Sequence, residues 1–124
     1  MESSAQFIKR KNEELKKEKL VGMKDIGREA RHYFKHEAWT LMQQTGHPEK
    51  VFIIERLRRV EMTGPISTPK ANHIGDIEYR IGYFMVGKHG NKKGRWTWGQ
   101  YCPLIPQRDF NKLINLARKE GTLH

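Results

Sequence analysis

The 124 residues hold one cysteine, Cys102. One thiol closes no intramolecular disulfide and supplies no zinc-ligand spacing. The fold must therefore be held by an apolar core, and the composition is that of a reducing compartment. No apolar run approaches the roughly 20 residues of a membrane-spanning helix. The opening, MESSAQFIKRKNEEL, lacks the apolar segment of a secretory leader. A cytoplasmic protein with no membrane partner is expected. Acidic residues are also scarce: 14 Asp and Glu face 24 Lys and Arg, a net charge of +10. That excess selects an acidic partner, with nucleic acid first and an acidic protein as the alternative. With 36% hydrophobic and 31% charged residues, the length suits one domain with one modest core.

Charge dominates residues 1–20, where Lys9, Arg10, Lys11, Glu13, Glu14, Lys16 and Lys17 surround sparse apolar residues, among them Phe7, Ile8 and Leu15. This predicts a charged, solvated helix or arm, capped by Ser3 or Ser4, ahead of a single α+β domain over 21–124. Over 23–45, Met23, Ile26, Ala30, Tyr33, Phe34, Ala38, Leu41 and Met42 recur at three- and four-residue steps, a helical stripe. Gly46 then suits a helix C′ position, with Pro48 beyond it. The run Val51-Phe52-Ile53-Ile54 predicts a strand over about 52–62, with a helix over 48–58 as the alternative. Two prolines and two glycines make 63–76 a long loop. A strand over 77–88, the turn GKHGNKKGR and a returning strand over 95–102 form a hairpin. Phe110, Leu113, Ile114 and Ala117 define a last helix over 107–119. The expected fold is α+β: two N-terminal helices, a small three-stranded antiparallel sheet, and a C-terminal helix packed on one face. A winged helix, with 48–59 helical and the hairpin as wing, is the alternative.

The chemistry-bearing residues cluster in three places. Lys88, His89, Lys92, Lys93 and Arg95 ride on the glycine-rich hairpin turn, where lysines can neutralise phosphate and glycines let backbone N–H groups approach an anion. Arg56, Arg58 and Arg59 form a second basic cluster, and a guanidinium reads phosphates and base edges in a fixed fork. Trp96 and Trp98 stand two apart and so share one strand face, expected to be the buried one, which leaves Tyr101 as the exposed aromatic. These residues predict a non-catalytic nucleic-acid-binding accessory protein that uses the turn, the arginines and Tyr101. A protein-interaction module for an acidic partner is one alternative. Another is a small metal-independent ribonuclease or toxin-like enzyme with His73, Glu78, Arg80 and His89 as acid, base and cation. His32 and His36 lack a third ligand at fixed spacing, so neither a metal nor a cofactor is expected.

Overall fold

The computed structural model of the chain describes residues 1–17, 20–24, 31–63 and 73–124. Five antiparallel strands follow one another in chain order across a single sheet. They are β1 (Leu20–Lys24), β2 (Arg31–Gln43), β3 (Lys50–Thr63), β4 (Ile77–Val86) and β5 (Trp96–Trp98). Helix α1 (Ser4–Lys17) precedes the sheet and α2 (Gln107–Lys119) follows it. The expected three-stranded sheet with two N-terminal helices is thereby corrected, as is the winged-helix alternative. The chain is α+β with an antiparallel sheet of five strands.

The largest difference lies over 23–45. Its described part is strand, with β2 pairing to both β1 and β3; residues 25–30 of that expected helix fall outside the described residues. The physical reason is in the register. The pairing of β2 with β3 slips twice: Val60 is an extra residue of β3 opposite Tyr33 and Phe34, and Glu37 is an extra residue of β2 between His36 and Ala38. A bulge inserts one residue, so a period-two stripe steps by three where it crosses one. The one such step in β2, at Glu37, together with apolar residues on both of its faces, Leu41 on one and Met42 on the other, imitates a helical repeat. Residues 48–58 are also extended, within β3. The loop expected over 63–76 has 64–72 outside the described residues; its described end is a turn in which the Asp76 N–H donates to the His73 carbonyl at 3.1 Å.

Both faces of the sheet are covered, by different helices. Alternate residues of β3 point to opposite sides. Val51 and Ile53 pack with Phe7, Leu15, Leu41 and Phe84 beneath α1, and Phe52 and Ile54 pack with Tyr83, Leu113 and Ala117 beneath α2. The expected solvated arm is thus a docked helix. Its start is a capping box: the Gln6 N–H donates to Ser3 Oγ at 3.2 Å, and the Ser3 N–H donates to Gln6 Oε1 at 2.8 Å. Phe7 stacks on Trp96 with ring centroids 4.6 Å apart. Trp96 Nε1 donates to the Glu2 carbonyl at 2.9 Å, and Trp39 Nε1 to Asn12 Oδ1 at 2.8 Å. Two apolar anchors suffice because each lands between aromatic or aliphatic partners and loses nearly all its solvent contact.

On the other face, Asp109 in the first turn of α2 accepts from the Thr45 N–H at 3.1 Å and the Thr45 hydroxyl at 2.5 Å. These two bonds tie the helix start to the β2–β3 turn. That turn passes through Gly46 at φ +75°. The positive φ that suggested a helix end therefore serves a strand reversal.

Replacing Phe7 by alanine is expected to cost about 3–5 kcal/mol, the usual range for emptying a buried aromatic site. Urea unfolding followed by circular dichroism measures it, and a loss under 1 kcal/mol would show that α1 is not integral to the core. A chain starting at Val21 is expected to lose its cooperative transition.

Candidate functional site

The structure distributes the basic residues unevenly. Alternation along β3 separates the arginine cluster, because Arg56 and Arg58 lie on one side of the strand and Arg59 on the other. Glu37, the extra residue of β2, accepts from Arg56 Nε at 2.9 Å and from Arg58 Nε at 2.5 Å. Arg56 also donates to the carbonyls of Gly121 and Thr122, at 2.6 and 3.0 Å, which ties down the end of α2. Arg58 donates to the Gly75 carbonyl at 3.0 Å. The Arg58 hydrogen bond, with help from Arg56, holds the Glu37 carboxyl below its usual range. Arg59 is buried against the Phe34 ring, where it meets His32 and donates to Glu78 Oε2 at 2.7 Å.

The β4–β5 turn behaves differently. Gly90 and Gly94 take φ values of +64° and +75° around a 3₁₀ turn, Gly90–Lys92. The Gly87 N–H donates to the Arg95 carbonyl at 2.9 Å and the Gly94 N–H to the Gly87 carbonyl at 3.0 Å. Gly87 and Gly94 spend their N–H groups on the turn itself. Lys88 is held by Glu49 at 2.8 Å. His89, Lys92, Lys93 and Arg95 are exposed, and no described carboxylate pairs with the last three. Beyond β5 the chain presents Tyr101, 79% exposed.

The alternative acid–base set is divided. Glu78 and Arg80 are two apart on β4 and share the α1-side face of the sheet. His73 precedes that strand and His89 follows it. Ten residues of strand keep its ends about 30 Å apart, so the two histidines do not meet over one substrate.

What joins Glu78 and Arg80 is a polar seam that sequence spacing missed. It lies on the α1 side of the sheet, past the reach of that helix. Glu55 is fully buried, with His36 Nε2 at 3.1 Å and Arg80 Nη2 at 2.6 Å from its Oε2. Burial pushes its carboxyl up, but the hydrogen bonds from His36 and Arg80, with their charges, bring it below the ordinary 4.5. Arg80 in turn lies over Trp98, its guanidinium carbon 5.1 Å from the ring centroid. The available signal was alternation: once 31–43 is extended, His32, Phe34 and His36 share a face. Trp96 and Trp98 do share a face, as expected, but only Trp96 is covered by α1. Trp98 stays 42% exposed, lying across Gly82, where any Cβ would collide with its ring. Near the end of α1, an open groove of about 510 Å³ is bordered by Leu15, Lys16, His36, Glu37 and Trp39 among others. Among the described residues, no three His, Cys, Asp or Glu side chains converge as a metal site, and no helix is long and apolar enough to cross a membrane.

Comparison with protein-family models, with curated proteins and with solved structures returns no match.

The seam makes acid stability depend on Glu55. A carboxyl lowered in the folded state contributes stability above its unfolded value, and that contribution is lost as pH falls below 4.5 through the folded-state value. Wild type is therefore expected to lose more stability than Glu55→Gln between neutral pH and about pH 3; equal losses in urea midpoint would acquit Glu55. At neutral pH, Glu55→Ala is expected to cost about 3 kcal/mol, the lower end for a broken buried pair, because Arg80 is one-third exposed and rehydrates.

Proposed function

We propose that the protein binds single-stranded nucleic acid without cleaving it. The observation that carries this reading is the surface of the β4–β5 hairpin. Lys92, Lys93 and Arg95 are exposed and free of described carboxylate partners at one end of edge strand β5. Trp98 and Tyr101 present aromatic surface at its other end. Cations that release counterions from phosphates supply affinity, and aromatic faces that stack on unpaired bases supply the preference for single strands. Arg56 and Arg58 contribute less than their sequence suggests, since Glu37 engages both guanidinium groups and offsets one of their two charges. His89 belongs to this surface by exposure, and Lys88 through its exposed ion pair.

A binding role fits the seam better than cleavage. Both histidines on that face, His32 and His36, are buried, as is Glu55. A proton donor or acceptor has to reach the reacting atoms to within hydrogen-bond distance. The half-exposed members, Glu78 and Arg80, are suited to holding a ligand.

Anisotropy titrations with single- and double-stranded oligonucleotides at two salt concentrations test the proposal. Single strands are expected to bind more tightly, with affinity falling as salt rises. The combined K92A, K93A and R95A substitutions should flatten the salt slope by about 2 for three lost phosphate contacts on a single strand. An unchanged slope would remove the turn from the interface. Polyglutamate binding as tight as nucleic acid would instead identify an acidic protein as the partner.

A further inference from the structure

We propose that the sheet face beyond the reach of α1 is a seat for one unpaired guanine base. The proposal rests on the single-strand reading above and adds a base-recognising site to it. Three groups on adjacent strands carry it. Trp98 offers a flat ring, 42% exposed, pinned from below by Gly82 and from the side by Phe84, whose ring stands edge-on to it with centroids 5.1 Å apart. Arg80 lies over that ring and is oriented by Glu55, which accepts its Nε at 3.1 Å and its Nη2 at 2.6 Å on a single oxygen. Its Nη1 donates to no described group. Glu78, two residues earlier on the same strand and so about 7 Å away at strand rise, is half-exposed. Its Oε2 accepts from buried Arg59 at 2.7 Å; Oε1, which accepts from no described group, and the second lone pair of Oε2 are left for a donor from outside.

The seat thus presents a stacking surface, an oriented carboxylate and a guanidinium with donors to spare. Each of the two charged groups is fixed by a buried partner of opposite sign. Such preorganisation lowers the cost of ordering them on a ligand. Unpaired bases are read by stacking on aromatic or guanidinium planes and by hydrogen bonds to their exposed edges. The ligand edge must donate to Glu78 and accept from Arg80. Guanine does both: its N1–H and N2–H groups are parallel donors suited to one carboxylate, and O6 and N7 are acceptors that arginine favours. Uracil and thymine offer a single donor, N3–H, flanked by carbonyl oxygens that face a carboxylate unfavourably. Adenine and cytosine lack the parallel donor pair.

Ten-residue oligouridines with a central guanine or a central uridine test the seat. Wild type is expected to prefer the guanine strand by about 10-fold. Glu78→Gln should abolish that preference and leave the salt slope unchanged. Trp98→Leu should weaken the guanine strand by about 10-fold, whereas Trp98→Phe, which retains a stacking ring, should keep most of the affinity. Ultraviolet crosslinking of the wild-type complex, read by mass spectrometry, should place the central base on Trp98; that readout needs no variant to fold. Equal affinity for the two strands, or a crosslink placed elsewhere, would overturn the seat while salt-dependent binding leaves the broader function standing. Absence of binding to every strand would overturn both.

Discussion

Five consecutive residues of β3, Val51 to Glu55, are buried. A strand buried at every position needs cover on both faces, and the rest of the architecture answers that requirement. A charged helix of 14 residues with two apolar anchors covers one side, and an amphipathic helix of 13 residues covers the other. Each helix is fixed to the sheet by polar bonds at defined points: Asn12 to Trp39 and Glu2 to Trp96 for α1, Asp109 to Thr45 for α2. Those bonds set where the helices sit, and hence where their cover stops.

The end of α1 is what makes a site. Along one face of the sheet, buried charge joins the apolar residues past the helix, with Glu55 and Arg59 flanking Leu57 on β3. Val51 and Ile53 lie beneath α1, and Glu55 lies past it. An isolated buried carboxylate would be costly, so Glu55 is accompanied by His36 and Arg80. Arg59 solves the same problem with His32 and Glu78. The pairs are staggered along two neighbouring strands, so each buried charge orients a more exposed partner: Glu55 holds Arg80, and Arg59 holds Glu78. Interior electrostatics and surface chemistry are thereby the same interaction seen from two sides. The basic turn lies at the far end of β4 and is built separately, from glycine geometry and from Lys92 and Lys93, which pair with no described carboxylate.

Much of the chain was legible before its structure. The last helix was expected and observed over the same residues, because Leu113 and Ala117 sit at helical spacing between Pro106 and Gly121. The hairpin was expected from alternation flanking a glycine-rich turn, and β3 from a β-branched run. Misreadings came where a local signal had two physical causes. A positive φ at Gly46 suits a helix end as well as a strand turn. One extra residue in β2, Glu37, and apolar side chains on both of its faces gave an extended segment the spacing of a helix. The arginine cluster looked coherent as a string but falls on both sides of β3, with Arg56 and Arg58 committed to Glu37.

Composition and periodicity alone determined that the chain is a basic α+β domain with no disulfide and a hairpin carrying exposed lysines. Such properties depend on residue type and on neighbours a few positions away, which is the range over which turn chemistry and amphipathic pattern act. Tertiary structure alone decided that α1 docks, that Trp96 is covered while Trp98 is not, and that Glu55, His36, Arg80, Arg59 and Glu78 share one face. Strand pairing joins residues 19 to 25 positions apart for these contacts. No local pattern encodes a partner at that distance, because the register that brings the two together is set by the packing of both sheet faces at once.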